Sequence, residues 1–330
     1  MEVDMLVPIA YGMALPEMVL DNTQIADKIA REGGKATSDA EIYRRSKIRK
    51  RHIADIQKGE TPTFLAVEAA KNALENIGYT IRDIDLLIVA STYPDTFVPH
   101  IACAVQEQLT GDQEDVAFPA FDINVACSGF VYAMTLADAL VRCHAKYQRV
   151  LLIGTDVLSA AIDWSDVATA CIFGDGAGAM ILEQISRTSV YYPMGILGAT
   201  LTAQGNSNIL SLARGGKIRM TGSRVFGTAV EICIQQIRQV LEENRLTLHE
   251  IDLLIPHQAN GRILKKVADV LPFPLNKIHQ TIEEHGNTGA ASVPIAFADA
   301  FQKGLFDRPQ TIVTAAFGGG MSGAAVALKI

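Results

Sequence analysis

Apolar residues fall along this chain in short blocks of two kinds, separated by polar turns. Val116 to Ile123 is β-branched and aromatic and reads as a buried strand, and Ala177 to Leu182 and Leu253 to Ile255 are similar apolar runs. Phe130 to Leu140 is too long for a strand and mostly apolar, which predicts a core-facing helix. Gly261 to Leu271 predicts another helix, and a further one follows the small-residue turn His285 to Ser292. Helices alternating with β-branched strands place the chain in the α/β class.

The pattern is written twice. Ala73 to Ile88 aligns without gaps to Val240 to Ile255, 167 positions later, and both copies read as a helix end, a turn and a buried strand. A second echo pairs Asn124-Val125-Ala126-Cys127 with Asn287-Thr288-Gly289-Ala290, 163 positions apart, each opening a helix. Two echoes at nearly equal offset predict two similar α/β halves, residues 1–185 and 186–330, with the boundary between Glu183 and Ser189. If a pseudo-twofold axis relates the halves, the two helix starts face each other, and Cys127 meets Asn287.

Composition narrows the class. With 330 residues, 49% of them hydrophobic, and a net charge of −7, the chain exceeds one ordinary core and lacks the basic tracts of a nucleic-acid binder. Its five cysteines are irregularly spaced and contain no CxxC, which argues against a disulfide framework or zinc site and for a reducing, cytoplasmic setting. The start Met1-Glu2-Val3-Asp4-Met5 lacks a basic signal region, and no apolar run is expected to span a membrane.

Three positions carry candidate chemistry. Cys127 stands where a strand gives way to a helix; there, unpaired N–H groups and the macrodipole favour a thiolate nucleophile. His257 ends the apolar run Leu253 to Pro256, and Asn287 lies in the second small-residue turn. A strand-end thiol, a strand-end imidazole and a loop amide suit thioester chemistry. His52, His100 and His285 read as structural, and Cys103, Cys143, Cys171 and Cys233 as small buried apolar residues.

The runs around Cys127, His257 and Asn287, with the closing Phe317-Gly318-Gly319-Gly320, resemble β-ketoacyl-acyl-carrier-protein synthase III in the correct order and over essentially the whole chain. The resemblance implies a thiolase-like, layered α/β/α/β/α fold from two duplicated halves, and a homodimer. It implies an acyltransferase that needs no bound cofactor or metal. Cys127 would hold an acyl group from coenzyme A or a carrier protein, and malonyl-carrier protein would lose carbon dioxide to give a β-ketoacyl thioester for fatty-acid or specialised-metabolite synthesis. His257 and Asn287 would donate to the enolate, and the N–H groups of Cys127 and Gly319 would form the oxyanion hole. Asn287 separates the chain from elongating synthases with two histidines, and the closing glycines lack the extra cysteine of thiolases. Transfer of the acyl group to an alcohol or amine is the alternative reading.

Donor recognition departs from the family pattern. Arg44 to Arg51 holds six basic residues, and Arg45 matches a phosphate contact. Glu41 and Val167, however, occupy the positions of the family's adenine-stacking tryptophan and its partner arginine, and Lys47 replaces a glycine. A carrier-bound acyl donor, or an unusual coenzyme A thioester held differently, is therefore expected, with a carrier docking on Arg262, Lys265 and Lys266, which share a helix face. The segment Thr92 to Pro99 corresponds to one that lines the partner's acyl pocket across the dimer, with a gate at Phe97 and Val98.

Overall fold

The computed structural model describes residues 5–111, 116–144, 146–186 and 194–330. One sheet has five strands in the order Met5–Ala14, Asp175–Ile185, Arg149–Val157, Leu86–Ala90 and Ala120–Ile123. The other has four, in the order Leu253–Leu254, Thr311–Gly318, Gly320–Lys329 and Gly195–Asn206. Helices Gly129–Cys143 and Ser292–Gln302 lie between the sheets, burying Phe130, Met134, Val293 and Phe297 against both. Pro62–Glu75 and Ile101–Thr110 cover the outer face of the first sheet, and Gly222–Glu243 and Gly261–Val270 that of the second. These are the five layers of a thiolase-like α/β/α/β/α fold.

The continuous apolar strands follow from this layering. Leu86, Ile88 and Ala90 face the central helices, while Leu87 and Val89 face the outer ones, so no position of that strand can be polar. Such a strand is parallel to both its neighbours, Ala120–Ile123 and Arg149–Val157.

The duplication is visible down to single hydrogen bonds. Thr80 donates its backbone N–H to Asp83 at 2.8 Å, and Thr247 does the same to Glu250 at 2.8 Å, each opening a short 3₁₀ turn. The N–H of Asp85 reaches the carbonyl of Arg149 at 2.9 Å, as Asp252 reaches Thr311 at 2.9 Å. Asn124 Oδ1 accepts from the Ala126 N–H at 3.1 Å, and Asn287 Oδ1 from the Gly289 N–H at 3.0 Å. Both donating residues are left-handed, at φ 47° and 59°. Where the first sheet pairs Leu86–Ala90 with Ala120–Ile123, the second reduces the fifth strand to one parallel bridge, Leu254 to Ile278.

Several expectations are adjusted. Val116–Pro119 is not strand, because Pro119 has no N–H to give and only its carbonyl, which accepts from Leu87 at 3.0 Å, joins the sheet edge. The central helix is longer than expected, Gly129–Cys143. The stretch Ala126–Cys143 that contains it also has the length and mean hydropathy, 1.2 over 18 residues, to cross a membrane; here the apolarity serves burial between two sheets. Cys143 is exposed at the helix end and Cys103 is half-buried, so only Cys171 and Cys233 join Cys127 in the interior. The strand Asp175–Ile185 runs into the expected boundary segment, whose residues 187–189 lie outside the described residues, as do Met1–Asp4.

Gly178 sets the spacing of the first sheet from the Ser292–Gln302 helix. A Cβ there would stand 2.5 Å from the Ile295 nitrogen and 2.6 Å from the Pro294 carbonyl carbon. Neither backbone atom can rotate away. Gly178→Ala is expected to cost about 3 kcal/mol of unfolding free energy, the upper range for overpacking, read as a lowered urea midpoint with an unchanged slope.

Candidate active site

Cys127 sits in a tight elbow between the Ala120–Ile123 strand and the central helix. Ala126 is left-handed, at φ 47°, which costs a non-glycine residue about 1 kcal/mol or more. The strained turn is held by the Asn124 contact and by Gly129 N–H to Ala126 carbonyl at 2.9 Å. Ser128 Oγ donates to the Val125 carbonyl at 2.7 Å and lies 2.7 Å from Ser322 Oγ, pinning the elbow to the last strand.

The thiol is not the ready thiolate that the helix start suggested. Cys127 is buried, and burial, helped by the Asp156 carboxylate, pushes its pKa up to about 12. Desolvation outweighs the helix dipole here. Asp156 is itself fully buried and raised to about 6 by that burial, although it accepts from the N–H groups of Thr92 at 2.7 Å, Tyr93 at 3.1 Å and Ala290 at 2.7 Å.

The imidazole of His257 is buried, and burial pulls its pKa down to about 3, so it is neutral. Its Nδ1 is hydrogen-bonded to Ser292 Oγ, and its Nε2 is buried without a protein partner. The Phe317 ring abuts it edge-on at 5.1 Å. Gln258 braces this segment: its Nε2 donates to the carbonyls of Pro256 and His279, and its Oε1 accepts from Thr281 and Ile282. Asn287 is fixed from both sides, its N–H on the Ile172 carbonyl and its carbonyl on the Gly174 N–H, each at 3.0 Å. With Oδ1 on Gly289, the Nδ2 end of the amide is the one left for the site. The fully buried Arg51, beside Gly174 and Gly286, donates to the Cys171 carbonyl and to Asn22, each at 2.8 Å.

Cys127, His257, Asn287 and Gly319 line one narrow channel of about 80 Å³, together with Val225, Asn260 and Phe226, the last of which also borders the outer groove. On the other side Cys127 and Gly319 border a chamber of about 320 Å³ walled by Leu158, Phe173, Leu210, Leu212 and Ile218. At the mouth, Tyr43, Arg44, Lys47, Arg262, Lys265 and Lys266 line an open groove of about 760 Å³. Arg262 lies over the Phe226 ring at 5.4 Å, and Lys265 is tied to Asp269 at 3.0 Å. Arg45 is absent from this lining, because its guanidinium bonds to Glu41. Lys47 takes the left-handed turn at φ 63° and packs on Gly261, where a Cβ would come within 2.6 Å of it.

Sequence reasoning missed Ser292, Gln258 and Asp156. It read Arg44 and Lys47 only within the basic run, with Lys47 as a departure from the family's glycine, and singled out Arg45 instead. Histidines 52, 100 and 285 lie outside the channel: His52 bonds to the Pro16 carbonyl, His100 to that of Ala120, and His285 packs on His52 at 5.5 Å. Trp164 carries Lys28 over its ring. Among the described residues no group of three or more His, Cys, Asp or Glu is placed to hold a metal.

A thiol raised this far ionises late. Alkylation of Cys127 by iodoacetamide is expected to climb about tenfold per pH unit from pH 7 to 10 without levelling, followed by peptide mass spectrometry so that exposed Cys143 reads separately. A plateau below about pH 9 would contradict the raised pKa.

The comparisons with known proteins agree over the full length. The profile described as 3-oxoacyl-[acyl-carrier-protein (ACP)] synthase III matches residues 121–205, and its C-terminal counterpart matches residues 241–330. The beta-ketoacyl-[acyl-carrier-protein] synthase III of Xylella fastidiosa (strain Temecula1) is 40% identical over 330 residues, covering 96% of each chain. The crystal structure of the Aquifex aeolicus synthase III superposes with a TM-score of 0.90 at 37% identity, covering 98% of this chain and 100% of that one. That of Pseudomonas aeruginosa gives 0.88 at 33%, covering 98% of both. With this fold, and with a cysteine, a histidine and an asparagine converging on one channel, the chain belongs to the β-ketoacyl-[acyl-carrier-protein] synthase III family of acyltransferases.

Proposed function

We propose that this chain condenses an acyl thioester, held on Cys127, with malonyl-acyl carrier protein. The observation that carries this reading is the narrow channel, where the Nε2 edge of a neutral imidazole and a carboxamide meet beside a buried thiol. Cys127 sulfur attacks the thioester carbonyl, the carrier thiol leaves with the proton that Cys127 gives up, and the acyl chain enters the apolar chamber. The N–H groups of Cys127 and Gly319 receive the tetrahedral oxyanion. The malonyl carboxylate then leaves as carbon dioxide, and its bonding electrons pass into an enolate that accepts from His257 Nε2 and Asn287 Nδ2. That carbanion attacks the acyl carbon, Cys127 thiolate departs and is reprotonated, and a β-ketoacyl thioester remains on the carrier. A charged histidine is unnecessary here, since enolate stabilisation needs donors and not a base.

The groove suits a phosphopantetheine arm on an acidic carrier. Arg44, Lys47, Arg262 and Lys266 would meet the phosphate and the carrier surface, with Lys265 weakened by Asp269 and Arg45 by Glu41. Glu41 and Val167, in place of the family's adenine contacts, favour a carrier-bound primer over a coenzyme A primer. The same reading takes residues 1–185 and 186–330 as the two halves. It places the enzyme, whose cysteines are free, in the cytoplasm, and pairs it with a second copy through exposed Phe97 and Val98.

Two measurements test it. Mass spectrometry after exposure to acyl-carrier and acyl-coenzyme A thioesters, then malonyl-carrier protein, should show a Cys127 adduct that clears with release of carbon dioxide. An adduct that persists and clears only with an alcohol or amine would assign simple acyl transfer instead. Arg262→Glu is expected to raise the KM for the carrier about tenfold, a loss of roughly 1.4 kcal/mol, while iodoacetamide reactivity of Cys127 stays as in the parent.

A further inference from the structure

We propose that Ser292 is a positioning residue that sets the tautomer of His257, keeping the ring proton on Nε2 where the channel needs a donor. The inference rests on the condensation reading above, and it concerns a residue to which neither the sequence motifs nor that mechanism gives a role.

A neutral imidazole carries one N–H, and the partner of one ring nitrogen decides where it sits. Nε2 of His257 has no protein partner, so nothing on that side chooses. On the other side Nδ1 meets Ser292 Oγ. That oxygen also accepts the Gln258 N–H, at 3.3 Å, which commits one of its lone pairs. Ser292 is buried at the first turn of the Ser292–Gln302 helix, and among the described residues Nδ1 is the acceptor its hydroxyl hydrogen reaches. The hydroxyl therefore donates to Nδ1, and the imidazole proton is left on Nε2. Burying the hydroxyl hydrogen with no acceptor would cost about 1–3 kcal/mol, so the opposite tautomer is disfavoured. Gln258 belongs to the device, because its side chain bonds to the Pro256 carbonyl and to residues 279–282, holding its own N–H against Ser292.

Without the hydroxyl, either tautomer can form, and the fraction with a bare Nε2 lone pair would repel the enolate oxygen. Acylation of Cys127 draws on the oxyanion N–H groups and not on the Nε2 donor. The two half-reactions should therefore separate.

The experiment compares the parent with Ser292→Ala and Ser292→Thr. Acylation of Cys127 is followed by mass spectrometry and release of labelled carbon dioxide from malonyl-carrier protein is followed separately. In Ser292→Ala, carbon dioxide release is expected to fall on the order of thirtyfold more than acylation, less than the hundredfold or more of deleting an oxyanion donor outright. Ser292→Thr, which keeps a hydroxyl, should recover most of that gap. Nitrogen-15 NMR of histidine-labelled protein should find the His257 proton on Nε2 in the parent and shared between the nitrogens in Ser292→Ala. Equal losses in both half-reactions, or a parent proton on Nδ1, would overturn the proposal. The NMR reading of the parent decides even if Ser292→Ala fails to fold. A parent enzyme that releases no carbon dioxide but keeps its proton on Nε2 would refute the condensation reading and leave the tautomer assignment standing.

Discussion

The buried carboxylate of Asp156 is the contact on which the site depends. It lies at the end of the Arg149–Val157 strand in the first sheet, yet it accepts from Ala290 at the start of the second central helix as well as from Thr92 and Tyr93. A carboxylate withdrawn from water is expensive unless its oxygens are filled by donors. Here the donors come from both sequence repeats, so the carboxylate is satisfied only when the start of the second central helix is docked against the strand ends of the first sheet. Gly289 is part of this bargain: a Cβ there would lie 2.2 Å from Asp156 Oδ2. The same negative charge helps to hold the nearby thiol protonated. In the proposed reaction, a thiol held protonated in this way shifts the demand onto stabilising the intermediate more than onto a preformed thiolate.

The sequence made the skeleton readable because burial on both faces leaves strands with no polar positions. Leu86–Ala90 and Leu253–Ile255 could hardly be anything else once the repeat was seen. Cys127, His257 and Asn287 were legible for a related reason: each interrupts an apolar or small-residue pattern at an element junction. Ser292 and Asp156 were not, since a serine at a helix start and an aspartate at a strand end are ordinary residues until their partners are known. Those partners lie 35 and 134 positions away. The thiol's acidity failed for a similar cause. The dipole of a helix is local and visible in sequence, whereas desolvation is a sum over distant chain and wins by magnitude.

Charge at the mouth teaches a different lesson. A run of six cations from Arg44 to Arg51 looked uniform, but the fold sorts it. Arg51 is fully buried against Asn22 and the Cys171 carbonyl, Arg49 pairs with Glu283, Lys50 with Glu284 and Arg45 with Glu41. Arg44 and Lys47 are the two that reach the groove. Lys47 does so from a left-handed turn that glycine would occupy more comfortably, so the side chain there has a reason beyond backbone geometry.

The duplication finally explains why two nearly equivalent elbows do unequal work. Each half ends a central strand against the elbow of the other half. In the first half that strand-end residue is Asp156, which takes up the Ala290 N–H. In the second it is Gly318, whose Cβ position would fall 3.1 Å from the Cys127 nitrogen and 2.7 Å from the Val125 carbonyl oxygen. An acid at Gly318 would cap the Cys127 N–H as Asp156 caps that of Ala290. It would thereby fill the proposed oxyanion hole with a permanent anion. Glycine keeps that N–H for a transient one. On the asparagine side the helix start is spent on structure, and only the side-chain amide is left for chemistry. On the cysteine side the helix start keeps both its side chain and its N–H. Under the proposed mechanism, a single difference at the strand ends, carboxylate against hydrogen, divides the duplicated scaffold into an acyl-holding elbow and an enolate-holding one.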